Sequence, residues 1–421
     1  MVSVVPTGTG HREIRRNNLE VVLRHLSLAG QDSRASIASR AGLTRSTISR
    51  LVGELMDLGL VRETGPPQAQ GIGRPATMLE LDGRHVLAIG AEVNVDYLAV
   101  LVTDLAGRKV YEQRRAYDAI ADGPGHSITA LAGLCREALG TLASLRAHRQ
   151  PIVAGLTVAV PGLVDAPARV VTLAPNLRWS GVPVADRLRE VLELGPAPVS
   201  VANDASLAAV AEYRVGSHAG TPDLIYVTGE VGIGGGIIVA GRPLRGVRGF
   251  GGEVGHMRLD PGGPVCGCGR HGCWEALIGL HALLRAAFPG GSGRHGVTAG
   301  EPPEAKAAAV ARLARAGDTH VLTALAGIGH WVGFGAANLA NVFNPRAIIL
   351  GGYFTLLAEW ILPPAARALV EGVLAPDAGG CVLTTSSLGF SAAARGGAIH
   401  VADQVISDPA MLDSRSRPPA S

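Results

Sequence analysis

The chain has 421 residues, 47% of them hydrophobic and 17% charged, with a formal net charge of +3. That length exceeds one ordinary core and points to two or three domains, and the apolar share excludes global disorder. The net charge does not argue for nucleic acid, but residues 1–50 hold eight arginines against Glu13, Glu20 and Asp32, which marks the N-terminus for a polyanionic partner.

The N-terminus lacks a cationic start followed by a long apolar stretch. The apolar runs at 86–102 and 224–239 are broken by Glu92, Asn94 and Asp96 and by Glu230, so neither is expected to cross a bilayer. Three of the five cysteines crowd into 266–273. An odd, clustered set argues for a metal in a reducing compartment, so a cytoplasmic protein is expected.

Residues 17–82 read as one compact unit within a first domain, 1–82. Leu19, Val22, Leu23 and Leu26 recur at helical spacing in a helix ending near Gly30. Asp32 or Ser33 can cap a short second helix with Ile37, Ala38 and Ala41 inward. Gly42-Leu43 makes the turn, and Thr44 caps a third helix that runs to about Leu58 on Ile48, Leu51, Val52 and Leu55. Two short helices joined by such a turn match a helix-turn-helix. The third helix leaves Arg45, Ser46, Thr47, Ser49 and Arg50 outside, near the end that enters a major groove. Residues 60–63 and 78–81 alternate like two strands around a Gly- and Pro-rich loop. This is a wing, with Arg74 placed to enter a minor groove.

From residue 85 strands and helices alternate. Strands are expected at 86–93, 98–104, 153–160, 199–202, 224–228, 236–239 and 347–350, and helices at 128–146, 205–215 and 321–341. This is an α/β pattern with polar residues at strand ends, where ligands bind. His256, Cys266, Cys268 and Cys273 supply one imidazole and three thiolates, a set suited to tetrahedral zinc at a closed structural site. His271 competes for the histidine place. Asn203, Asp204, Glu253, His256 and Glu275 form a second, polar constellation suited to a hydroxyl-rich ligand. Asp204 taken alone reads equally well as a helix cap.

These motifs resemble the ROK family (repressors, open reading frames and kinases), in the branch carrying a winged helix-turn-helix. The residues are Gly-Ile-Gly-Gly-Gly-Ile at 232–237, Glu-Val-Gly-His at 253–256 and Cys-x-Cys-Gly-x-x-Gly-Cys-x-Glu at 266–275. Asn203-Asp204-Ala205, Ala174-Pro175-Asn176-Leu177 with Trp179, and Asn344-Pro345 before Leu350-Gly351-Gly352 add to them. The resemblance implies a winged helix-turn-helix followed by a two-lobed actin-like ATPase (ribonuclease H-like) sugar-kinase fold. Its lobes would be 85–203 with 390–406, and 204–389 with the zinc site and a dimerisation surface; 407–421 would be a disordered tail. It also implies a structural zinc on His256, Cys266, Cys268 and Cys273. The sugar pocket would be made by Asn203, Asp204, Glu253, His256 and Glu275. In the family's kinases the aspartate at the Asp204 position is the general base.

Two departures argue against a kinase. Where family kinases carry Asp-x-Gly-Gly-Thr, this chain has Glu92-Val93-Asn94-Val95-Asp96, and where they carry Gly-Thr-Gly it has Glu230-Val231-Gly232. Glycines that let amides approach a phosphate are replaced, and carboxylates are added. The expected function is a DNA-binding regulator, a repressor of carbohydrate genes, that senses a monosaccharide or sugar derivative without catalysis. Its partners would be a double-stranded operator and a second copy, as a homodimer or dimer of dimers, with no membrane. Two other readings stay open here: an active ROK kinase with an appended DNA-binding domain, and a regulator controlled by a protein partner.

Overall fold

The computed structural model describes residues 7–65, 77–145, 151–192, 194–291, 301–375 and 380–412. The N-terminal unit comprises α1 (Thr7–Ala29), β1 (Gln31–Ser33), α2 (Arg34–Ala41), α3 (Arg45–Asp57), β2 (Val61–Thr64) and β3 (Met78–Leu81). Ser33 caps α2 by accepting from the Ser36 amide, and Gly42 ends it at φ 65°. Thr44 caps α3 through the Thr47 amide. Ile48, Leu51, Val52 and Leu55 of α3 share a core with Leu19, Val22, Leu23 and Leu26 of α1 and Ile37 of α2. The wing sheet has three antiparallel strands in the order β1-β3-β2, one more than the sequence suggests. Asp32 spends its carboxylate on His25, the Ser36 hydroxyl and the Ser33 amide, so Ser33 is the cap. Arg74 lies outside the described residues.

The next ten elements build one lobe: β4 (Val86–Val93), β5 (Tyr97–Asp104), β6 (Lys109–Ala116), α4 (Ala119–Leu145), β7 (Ile152–Val160), β8 (Leu163–Asp165), β9 (Val170–Ala174), β10 (Trp179–Val182), α5 (Val184–Leu192) and β11 (Val199–Asn203). The main sheet runs β11-β7-β4-β5-β6, with β4 parallel to β7 and antiparallel to β5. Every residue of β4 and β5 is buried, because helices cover both faces. Strand β6, at the edge, is charged and partly exposed, which blunts that edge. Strands β8 to β10 form a small separate sheet.

The second lobe holds α6 (Asp204–Val215), β12 (Leu224–Gly229), β13 (Ile233–Val239), β14 (Arg242–Pro243), α7 (Trp274–Ile278), α8 (Leu280–Ala287), α9 (Pro303–Arg315), α10 (Thr319–Phe343), β15 (Ala347–Gly352), α11 (Ala358–Gly372) and β16 (Val382–Thr385). Its sheet order is β14-β13-β12-β15-β16. The expected two-lobed actin-like arrangement is therefore present. The last helix, α12 (Ala392–Ser407), returns to the first lobe.

Helix α12 touches backbone on both sides. A Cβ at Gly90 would lie 1.7 Å from the Ala394 carbonyl oxygen, and one at Gly396 would lie 1.9 Å from that of Leu207 in α6. Any side chain at either position would push β4, α12 and α6 apart. Farther along, Val401, Val405 and Ile406 of α12 enter the same core as α1 and α3. The N-terminal unit thus shares a core with the first lobe and α12. One expectation is corrected: within 407–421, residues Pro409–Leu412 form a 3-10 turn with Pro409 and Leu412 buried, because Leu412 completes this shared core. Residues 413–421 lie outside the described residues.

Candidate functional site

Strand β11 ends at Asn203, whose side-chain oxygen accepts from the Ser206 amide and starts α6. That cap leaves its amide nitrogen to donate to the Gly162 carbonyl at 3.2 Å and to Asp204 Oδ1 at 3.0 Å. Asp204 Oδ1 also accepts from the Ala205 amide at 2.7 Å. Burial pushes the Asp204 carboxyl up to about 6, against these donors. The carboxylate is still the major form at neutral pH.

Asn203, Asp204, Glu253, His256 and Glu275 line a single cleft cavity of about 560 Å³ between the lobes. All five residues expected to hold a hydroxylated ligand meet there, although they come from three separate stretches of chain. Glu275, in the first turn of α7, is fixed by the Ile233 amide at 3.1 Å. Gly232 is packed against it: a Cβ there would lie 2.4 Å from Glu275 Oε2 and 2.6 Å from Asn176 Nδ2. Burial pushes the Glu253 carboxyl up, opposed by His256.

Beside the cavity, the ligand atoms of His256, Cys266, Cys268 and Cys273 all lie within 4.8 Å of one another. Cys266 Sγ is 3.7 Å from His256 Nδ1, and Cys268 Sγ is 3.7 Å from Cys273 Sγ. Such a set can hold a metal ion. His271 is not in it; its Nδ1 lies 3.2 Å from the Gly263 carbonyl. With Nδ1 of His256 toward the thiols, Nε2 lies toward Glu253, 3.9 Å from Oε2. One imidazole therefore faces both the metal set and the ligand cavity.

On α3, Arg45, Ser46, Ser49 and Arg50 are exposed. Thr47 is half-buried, and its hydroxyl lies 2.8 Å from Thr44 Oγ1, so it serves the cap more than the outer face. Arg15, Arg34 and Arg62 of this unit are engaged, with Glu54, Glu63 and Glu80 respectively. Arg45 and Arg50 make no ion pair among the described residues. Their charge is available to a polyanion.

Two further carboxyls meet at the root of the cleft. Glu92, 1% exposed, accepts from the Tyr97 hydroxyl at 2.7 Å through Oε1. Glu230 reaches across from the loop between β12 and β13. Its Oε2 lies 2.8 Å from the same hydroxyl and accepts from Asn94 Nδ2 at 2.7 Å. The Arg114 guanidinium sits 3.8 Å from the centre of the Tyr97 ring. One hydroxyl proton cannot serve two carboxylates, and the pair repels itself. Burial pushes Glu92 up to about 7. Burial, and then the field of Glu92, push Glu230 up as well. Both carboxyls are accordingly pushed toward the protonated form near neutral pH.

The model of the ROK family matches residues 88–404. The chain belongs to the ROK family. Residues 21–65 match the IclR helix-turn-helix domain. The xylose repressor of Bacillus subtilis strain 168 is 30% identical to this ROK protein over 404 residues, covering 93% of this chain and 97% of the repressor. A solved ROK family transcriptional regulator, a homologue of the E. coli MLC protein, has a TM-score of 0.76 at 24% identity. The match covers 95% of this chain and 98% of that one, so the two share a fold from end to end. A ROK family glucokinase from Streptomyces griseus, solved with glucose and AMPPNP, gives 0.62 at 28% identity over 75% of this chain and 98% of its own. The kinase is matched almost whole by part of this chain, and the ROK domain is kinase-like.

The sequence did not single out every residue of this ROK cleft. Asn176 and Arg270 also line the cavity. Asn176 stands in the Ala-Pro-Asn-Leu motif, so the signal existed; nothing in the sequence marks Arg270. Asp96, expected beside a phosphate, is absent from the cavity wall and lies instead in the fields of Lys306 and His281.

The Glu92–Glu230 pair carries a test. Both carboxyls bind their proton more tightly folded than unfolded, so this contribution to stability is full below the unfolded value of 4.5 and is lost as pH rises through about 7. Glu230→Gln should be close to neutral at pH 5 and raise Tm at pH 8.5 relative to the wild type. Thermal melts across that range in which the variant falls as steeply as the wild type would exclude the raised proton affinity of this pair.

Proposed function

We propose that this chain is a DNA-binding transcriptional repressor of carbohydrate-use genes, whose ROK domain senses a sugar and does not turn over ATP. The observation carrying this reading is the convergence of Asn203, Asp204, Glu253, His256 and Glu275 on one cavity in a chain whose helix α3 presents Arg45 and Arg50 with no ion pair among the described residues. Ionised carboxylates accept two or more hydroxyl hydrogen bonds each, which suits the hydroxyls of a polyol ring, and Asn203 holds Asp204 in place by donating to its Oδ1. The relatives' name makes D-xylose the first sugar to try. A sugar bridging the two lobes favours one lobe orientation, and operator affinity then changes by the same differential free energy. The functional unit is a homodimer or dimer of dimers that spans two half-sites in the cytoplasm.

Loss of ATP chemistry is supported at the root of the cleft. Asn94 and Tyr97 are spent on Glu230. Carboxyls take the place of amides that would face a phosphate, and a carboxylate beside a triphosphate costs on the order of a few kcal/mol.

The metal is zinc in this reading. With Zn–S bonds of about 2.3 Å a tetrahedral S–S edge is about 3.7–3.8 Å, and the Cys268 Sγ–Cys273 Sγ separation is 3.7 Å. Four protein ligands leave no open position, so the ion is structural. It would tie the turn carrying Glu253 to the start of α7, which carries Glu275, and so hold the two carboxylates on one frame.

Three experiments test this. Operator binding by protein bound to sites selected from random duplex DNA should fall steeply with salt. Arg50→Ala should weaken it by about 1–3 kcal/mol with an unchanged circular dichroism spectrum. An unchanged affinity in the Arg45→Ala/Arg50→Ala double variant would remove this face. Metal analysis should find about one zinc per chain, and Cys268→Ser should lose both the metal and any sugar-induced thermal shift; metal-free protein that still answers sugar would refute the frame. Calorimetry across a panel with D-xylose and D-glucose should show binding without ADP release, weakened about tenfold or more in Asp204→Asn, where an acceptor-only carboxylate becomes a mixed amide. Sugar-dependent ADP release that disappears in Asp204→Asn would establish the kinase instead.

A further inference from the structure

Helix α6 begins in the sugar cleft and ends on the DNA-binding unit. Asp204, its first residue, lines the cavity. Arg214, in its last turn, donates from Nη1 to Asp403 Oδ1 of α12 at 2.7 Å and from Nη2 to Ser27 Oγ of α1 at 3.1 Å. We propose that Arg214 is a positioning residue through which α6 passes the state of the sugar cleft to the DNA-binding unit. This rests on the sugar-sensing reading above and specifies how that signal travels.

The body of α6 suits the task. Its sequence, DASLAAVAEYRV, contains neither glycine nor proline, so nothing in it favours a kink. It is wedged at backbone contact from two sides. Gly396 of α12 lies against the Leu207 carbonyl, and Gly236 of β13 lies against the Ala205 carbonyl and Ala209 Cβ. A rod held this way moves as one piece, so a shift at Asp204 appears at Arg214.

Among the contacts between α1 and the sensor, Arg214 is the one able to set register. The apolar contact of Leu19, Val22, Leu23 and Leu26 with Val401, Val405 and Ile406 is adhesive and non-directional. A second tie, Arg24 Nη2 to Ser407 Oγ at 3.2 Å, comes from a side chain 44% exposed that is also bound to Glu20. The Arg214 side chain is only 17% exposed, and its planar fork holds two partners on two different helices at fixed angles. Helix α1 in turn packs on Ile48, Leu51, Val52 and Leu55 of α3, so its displacement re-aims the face that carries Arg45 and Arg50.

The test is hydrogen–deuterium exchange on the full-length, metal-loaded chain, with and without D-xylose, for wild type, Arg214→Ala, Arg214→Lys and Ser27→Ala. In the wild type the sugar should change exchange both at 203–207 and in 17–29, the latter on the order of fivefold or more for a coupling of ordinary size. In Arg214→Ala and Ser27→Ala the change at 203–207 should remain while that in 17–29 disappears, with Arg214→Lys partly restoring it. Ser27→Ala deletes one hydroxyl, which guards against simple misfolding. A merely structural role would raise exchange throughout and leave the sugar-induced difference in 17–29 intact, and that result overturns the proposal. If D-xylose and D-glucose both leave 203–207 unchanged in the wild type, sugar sensing is what fails. The clamp is then decided by sugar-free exchange in 17–29, which must rise in Ser27→Ala for it to stand and refutes it if unchanged.

Discussion

On one side of α12, Gly90 lets the Ala394 carbonyl come against the central strand; on the other, Gly396 lets the helix close on the Leu207 carbonyl of α6. Backbones this close leave no room for a side chain where α12 meets β4 and α6. The far end of that helix supplies Val401, Val405 and Ile406 to the core of the DNA-binding unit. Three units therefore share one element. The close fit at two glycines explains why the DNA-binding unit is built into the sensor, with only residues 82–85 between β3 and β4.

What was legible in the sequence was local. Ser33, Gly42 and Thr44 announce the ends of α2 and α3 because caps and αL stops are decided within a few residues. The His256, Cys266, Cys268 and Cys273 cluster was legible because three of its members fall within eight residues, and the set can hold a metal ion. The polar cleft was legible through the family motifs. What escaped was set by distant partners. Strand β1 is three residues long and exists because β3 is there to pair with it. Tyr97 lay just outside the strand expected at 98–104; its meaning comes from Glu230, more than a hundred positions away, and from Arg114 on the neighbouring strand β6. The turn at Pro409–Leu412 looked like tail because its apolar residues are few, yet Leu412 completes a core begun by α1.

The cleft divides its acidic groups by what surrounds them. Asp204 is fed by two donors and keeps a value near 6, so it is mostly ionised at neutral pH and free to accept from a ligand. Glu92 and Glu230 have one hydroxyl and one amide between them, and Glu92 Oε2 is buried without a partner. Burial and the pair's mutual repulsion push both toward the protonated form. Similar side chains a short distance apart are thus left open to the cavity in one case and spent on a cross-lobe contact in the other.

The length of α6 has a mechanical consequence. Twelve residues at about 1.5 Å each make a lever of about 18 Å. A tilt of about 5° at its cleft end would carry the other end through about 1.5 Å, which would take a hydrogen bond of ordinary length beyond its usual limit of about 3.2 Å. The 3.1 Å bond to Ser27 is such a bond. Small lobe rotations thus become a making or breaking of contact at α1, which converts a graded motion into a two-valued one.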